Sequence, residues 1–205
     1  MPVQTKLFQL VLATKNIHKL REYKTLLQDL KHLDLLSLKD FPDYAPPEET
    51  GKTFRENAVL KAETAARTLQ CWTLADDSGL IVPALEGAPG IFSARYAGSQ
   101  AGDADNRKKL LANMEKLKNK ERSAYYECWI ALASPEGFLK KCVSATVEGL
   151  ILDQEKGGGG FGFDPLFVKN DYNKTFAELE DSIKNKISHR RKALDKVLTY
   201  LQNLA

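Results

Sequence analysis

The stretch "WTLADDSGLIV", residues 72–82, sets two adjacent carboxylates, a hydroxyl and a glycine between two apolar runs. Trp72 to Ala75 reads as a short buried strand, and Leu80 to Val82 is apolar again. A surface turn is more often flanked by polar residues. Asp76 and Asp77 therefore read in one of two ways. They are placed to hold a hard cation such as Mg²⁺ or to act as a base, or they are the solvated acids of an ordinary turn. Ser78 is a donor suited to a phosphate, and Gly79 lets the backbone turn or approach a ligand.

Upstream, a long helix starts at Thr53. Thr53 followed three residues on by Glu56 is a capping box. Phe54, Ala58, Ala62, Ala65 and Leu69 form its apolar face. Before it lies the polar, Pro-rich loop "KDFPDYAPPEETGK", whose Glu48 and Glu49 either join a metal site or are solvated. Earlier still, Lys6 to Ala13 reads as a strand. A helix with Leu20, Leu27 and Leu30 inward follows, then a strand over Leu33 to Leu38. Downstream, a helix is expected from about Asp105 to Leu117. A β-hairpin is expected from Tyr125 to Ala133 and Phe138 to Ala145 across "SPEG". Further strands are expected at Val147 to Ile151 and Leu166 to Val168, and a final helix over His189 to Gln202. The early βαβαβ order and the antiparallel middle imply an α/β fold with a mixed sheet.

The chain has 205 residues, 43% of them hydrophobic, which suits one domain with a real core. No linker divides it, so residues 1–205 are read as a single domain. A net charge of +3 argues against a general nucleic-acid binder. Leu7 to Ala13 is shorter than a secretory core, and no window approaches a membrane span of about 20 residues. Cys71, Cys128 and Cys142 are widely spaced in apolar runs and read as reduced core thiols of a cytoplasmic protein.

Three more segments carry candidate chemistry. "LATKNIHK", Leu12 to Lys19, links a strand to a helix N-terminus, where ligands of open α/β sheets bind. Thr14, Asn16 and Lys19 offer a hydroxyl, an amide and an ammonium that suit phosphates, or Thr14 or Asn16 simply caps the helix. This is not a Walker loop. In "GGGGFGFDP", Gly157 to Pro165, Phe161 and Phe163 either stack on a base or pack in the core. Asp164 either bonds a sugar or base, or fixes the turn before Pro165. In "KNKISHRRK", Lys184 to Lys192, Ser188 is a natural N-cap. His189, Arg190, Arg191 and Lys192 then fill a first turn where cations oppose the helix dipole. They meet a ligand there or are solvated.

Together "LATKNIHKLRE", "EETGKTFRENAVLKA", "ADDSGL", "GAPGIFSARYAG", "GGFGFDPLF" and "ISHRRKAL" resemble the inosine triphosphate pyrophosphatase family, the non-canonical purine NTP pyrophosphatases, in order and spacing across nearly the whole chain. The resemblance implies an elongated mixed β-sheet flanked by helices, in two lobes with a central active-site cleft, usually as a homodimer. It implies Mg²⁺-dependent hydrolysis of ITP, dITP and XTP to the monophosphate and pyrophosphate, a house-cleaning of the nucleotide pool. Thr14, Lys15, Asn16, Ile17, His18 and Lys19 would hold the phosphates, with Lys61. Glu48 and Asp77 would bind Mg²⁺, and Asp77 would also orient or deprotonate the attacking water. Ser78 would contact the substrate. Phe161, Gly162, Phe163 and Asp164, with Lys184, His189 and Arg190, would enclose base and sugar. Lys15 departs from the small residue the family usually has between Thr and Asn. It either points outward or adds a phosphate contact. No nucleic acid or membrane partner is implied. The rival readings are a related pyrophosphatase for other modified nucleotides and a non-catalytic nucleotide- or RNA-binding module.

Overall fold

"WTLADDSGLI" forms one uninterrupted strand, Trp72–Ile81, in the computed structural model, which describes residues 7–204. The acids expected at a strand end or turn sit in mid-strand instead. The Lys6 start expected for the first strand lies outside the described residues. The elements in chain order are β1 (Phe8–Leu12), α1 (Ile17–Leu27), β2 (Leu33–Ser37), α2 (Phe54–Leu69), β3 (Trp72–Ile81), α3 (Asp103–Asn113), β4 (Ser123–Ala133), β5 (Leu139–Ile151), β6 (Phe167–Lys169), α4 (Asp181–Ile187) and α5 (His189–Leu204), with short 3₁₀ turns between some of them.

The sheet order is β2-β1-β3-β4-β5-β6. β1 runs parallel to β2 and β3, and β5 runs antiparallel to β6. The fold is thus α/β with a mixed sheet, as the sequence implies. Register pairs Leu10 with Trp72 and Leu12 with Leu74. The Ala13 N–H donates to the Leu74 carbonyl at 2.8 Å. The loop after β1 and the acids of β3 therefore both lie just past the carboxyl end of the β1–β3 pairing.

Thr53 caps α2 as expected, its Oγ1 accepting from the Glu56 N–H at 3.1 Å. The returning arm of the box shifts by one residue, because Glu56 Oε2 accepts from the Lys52 N–H at 2.6 Å. β5 is continuous through Val147, so two expected strands are one. α3 starts two residues earlier and ends four earlier than expected. The sequence reading has no counterpart to α4, a seven-residue helix rich in charge.

The chain forms two compact units. The first comprises the residues up to Asp77, Trp129–Ser144 and those from Ala193 on. The second comprises Ser78–Cys128 and Ala145–Lys192. One core cluster of the first is built from small residues, with Ala58, Ala62, Ala65 and Ala66 of α2 against Val11, Ala75, Ala131 and Ala133. That of the second is large and aromatic, with Tyr126, Phe163, Phe167 and Phe176 around Leu80, Leu110 and Met114. Cys71, Cys128 and Cys142 are free thiols. Among the described residues no helix is long and apolar enough to cross a membrane.

Candidate functional site

Two clusters hold the sequence-predicted residues, one in each unit. The first is built on Asp77. Lys61 of α2 falls on the helix face that also carries Phe54, Ala58 and Ala65, so its ammonium is carried toward the sheet. Lys61 Nζ lies 2.9 Å from Asp77 Oδ1 and 2.9 Å from Glu49 Oε1. Lys19, in the first turn of α1, reaches Asp76 Oδ2 at 3.0 Å. Burial raises the Asp77 carboxyl above the ordinary aspartate value, and the Lys61 and Lys19 ammoniums offset only part of the rise. Burial lowers Lys61, but Asp77, Glu49 and Asp76 more than reverse this and hold its ammonium above the usual lysine value.

The phosphate-loop candidates meet at the start of α1. Asn16 is the N-cap, its Oδ1 accepting from the His18 and Lys19 N–H groups at 2.9 and 3.1 Å. Thr14 Oγ1 accepts from the Asn16 N–H at 3.2 Å. The capping alternative thus describes Asn16 without a ligand. Lys15, Ile17 and His18 are exposed on this turn. The exposed side of the acidic loop is taken by Glu48, while Glu49 turns to Lys61.

Sequence reasoning did not single out Asn57. Its side chain is fully buried. Its Nδ2 donates to Asp77 Oδ2 at 3.2 Å, and its Oδ1 accepts from the Gly51 N–H at 2.8 Å. One amide thus fixes the second oxygen of Asp77 and anchors the loop bearing Glu48 and Glu49. A Cβ on Gly51 would fall 2.5 Å from that Oδ1, which is why the position is glycine. The available signal was a polar residue four positions before Lys61 on an otherwise alanine-rich face.

The second cluster is organised by Asp164. Asp164 Oδ2 accepts from the Lys184 ammonium at 2.6 Å and from the Phe161 N–H at 2.9 Å, and Tyr126 OH lies 3.4 Å from Oδ1. Tyr126 stacks on His189 with ring centroids 4.6 Å apart. The Phe161 ring is half-buried, 4.9 Å from Lys184 Nζ and 5.7 Å from the Arg190 guanidinium. Arg190 is 1% exposed and donates to Ser78 Oγ at 3.0 Å. Phe163, by contrast, is a core residue at 2% exposure, as its packing alternative has it. Ser188 caps α5 through the Arg191 N–H at 3.2 Å, as expected. The chain passes from one unit to the other at the peptide bond between Asp77 and Ser78, so each cluster contributes one of two consecutive residues.

Among the described residues no three or more His, Cys, Asp or Glu side chains gather into a ready-made metal site. The donor set nonetheless fits a hard cation. Two carboxylates, Asp77 and Glu49, converge on one positively charged atom, and Mg²⁺ is commonly bound by one or two carboxylates with the rest supplied by phosphate and water.

A capped helix start carrying Lys19, a buried acid paired with Lys61 and an aromatic, cationic second cluster suit a protein that handles nucleotides. The chain belongs to the Ham1 family, which it matches over residues 10–200. It is 56% identical to the dITP/XTP pyrophosphatase of Protochlamydia amoebophila, over 96% of this chain and 98% of that one. It is 52% identical to the dITP/XTP pyrophosphatase of Chlamydia trachomatis serovar L2, over 96% and 94%. Among solved structures, the HAM1 protein from Coxiella burnetii superposes with a TM-score of 0.86 at 41% identity, covering 96% of this chain and all of that one.

Proposed function

We propose that this protein is a Mg²⁺-dependent nucleoside triphosphate pyrophosphatase that hydrolyses ITP, dITP and XTP to the monophosphate and pyrophosphate. The observation that carries the reading is Asp77: a buried carboxylate of raised basicity, oriented by Asn57 and bracketed by lysine. A base with a pKa nearer the working pH is the better proton acceptor.

In the proposed reaction a water oxygen bonds to the α-phosphorus and the bridging α–β P–O bond breaks. Asp77 takes the proton that the water loses, and the electron pair of the broken bond leaves on pyrophosphate. Residues Thr14 to Lys19 and Lys61 receive the phosphates, the ammoniums exchanging a carboxylate partner for a phosphate one. Such catalysis is positioning and charge stabilisation. Mg²⁺, held by Asp77 with Glu48 or Glu49, would neutralise phosphate charge. Phe161 stacks on the base, and the donors of Arg190 and His189 select the 6-keto oxygen of hypoxanthine and xanthine. Arginine only donates, so the 6-amino group of adenine leaves it unmatched. The reading includes a homodimer in the cytoplasm.

The test is turnover of ITP, XTP, GTP, ATP and dUTP with Mg²⁺, with the products identified. Pyrophosphate and IMP from ITP is the expected result, with ITP and XTP far ahead of ATP through the 6-keto oxygen and of GTP, which shares that oxygen, through its 2-amino group. Orthophosphate release, or indifference to the base, overturns the roles of Asp77 and Arg190.

A further inference from the structure

The run Gly157 to Gly160 lies beside the second cluster, and helix α3 bridges it. Arg107 Nε forms an ion pair with Glu155 Oε1 at 2.9 Å, before the glycines. Arg107 NH1 also donates to the Gly162 carbonyl at 3.0 Å, after them. One turn earlier on the same helix, Asp103 Oδ2 accepts from the Gly162 N–H at 2.7 Å. Residues four apart share a helix face, so one face of α3 grips both peptide groups of one residue. Gly162 has φ +60°, a conformation that other residues adopt rarely. A Cβ there would meet nothing within 4 Å, so no side-chain packing holds this apex in place. Its neighbour Phe161 bonds through its own N–H to Asp164 and carries the ring beneath Lys184 and Arg190.

We propose that Asp103 and Arg107 are positioning residues: they staple the glycine run closed, set the posture of Phe161 and thereby raise affinity for the purine base. The inference rests on the reading of Phe161 as the base-stacking residue. Neither side chain takes part in chemistry at the phosphates. Their loss therefore acts on substrate binding through the base, by returning to the loop the freedom that a pre-ordered site has already lost.

The experiment compares Asp103→Ala, Arg107→Ala and Arg107→Lys with Phe161→Ala. The readouts are KM and kcat for ITP, the inhibition constant of inorganic tripolyphosphate, which has no base, and hydrogen exchange at the Gly162 amide. Asp103→Ala and Arg107→Ala are expected to raise KM by about five- to tenfold with kcat within about twofold. The double variant should lose little more than either single one, because both act on the one residue Gly162. Tripolyphosphate inhibition stays unchanged. Arg107→Lys recovers part of the loss by keeping the charge opposite Glu155. The Gly162 amide exchanges faster in Asp103→Ala. Should Arg107→Ala fail to fold, Glu155→Gln and Asp103→Asn carry the same comparison. An unchanged KM in the α3 variants while Phe161→Ala raises it overturns the staple and leaves the base-stacking reading standing. A KM insensitive to Phe161→Ala overturns both. Equal weakening of ITP and tripolyphosphate overturns the staple by showing a general structural role.

Discussion

The two clusters are built from the same kinds of charge but held in opposite ways. Lys61, Asp77 and Glu49 keep 12%, 10% and 31% of their side-chain surface in solvent, and one ammonium serves two carboxylates. Lys184 and Asp164 are each 4% exposed, and the same carboxylate also accepts the Phe161 N–H and faces Tyr126 OH. The first arrangement has solvent access and partners that an incoming phosphate or cation can replace. The second is a fixed frame of buried hydrogen bonds and stacked rings. The difference fits the proposed division of work: chemistry needs groups that change partners, whereas base recognition needs groups that do not.

The sharpest break of this contrast is at Asp77. Asp77→Asn keeps the shape and removes the proton acceptor. Turnover of ITP is expected to fall by about 10³-fold, with the order of preference among bases in the residual activity unchanged. A loss under tenfold, measured by pyrophosphate release, places the base elsewhere. Next in size is a pair of stability measurements. Asp164→Asn removes one partner of a buried ion pair and strands the Lys184 ammonium, a change that costs about 3–5 kcal/mol. Lys61→Met takes the ammonium from Asp77 while the Asn57 side-chain N–H still holds that carboxylate, and is expected to cost less than Asp164→Asn, while abolishing most activity. Urea unfolding of both variants decides it. Equal losses erase the distinction between an exchangeable and a fixed cluster.

How far the sequence reaches follows the same division. Features with local causes are legible: the Thr53 cap, the alanine face of α2, the parallel start and the antiparallel middle. The continuity of β3 is not. Asp76, Asp77 and Ser78 look like a break because their partners, Lys19, Lys61, Asn57 and Arg190, lie from 16 to 112 positions away. Satisfied by those partners, the acids need no turn. The boundaries of the two units are illegible for a related reason. The chain crosses between them inside β3, β4, β5 and α5, so no flexible linker marks a boundary. Glu48 and Glu49 are equivalent as letters, and only the folded loop turns Glu49 toward Lys61. Helix α4 is missed because its one buried residue is a lysine whose carboxylate partner is 20 residues upstream.

Asn57 gives the smallest expected effect and the one that best separates holding a group from using it. Its amide spans Asp77 and the backbone of the acidic loop, so Asn57→Ala strands a buried N–H at Gly51 and one oxygen of Asp77. Leaving such groups without partners costs about 1–3 kcal/mol. If Asn57 serves only to fill space, the melting temperature falls and kcat for ITP does not. If it aims Asp77, kcat falls with KM for ITP nearly constant, because the phosphate and base contacts lie on other residues. Asn57→Asp sharpens the reading. It keeps the size and an acceptor for Gly51 but sets a second negative charge beside Asp77, and like charge raises a neighbouring carboxyl. The Asp77 titration, followed by carboxyl ¹³C shifts in ligand-free protein, is then expected to move to higher pH. An unmoved titration would mean that residue 57 and Asp77 are too far apart in solution for the bond between them to orient the base.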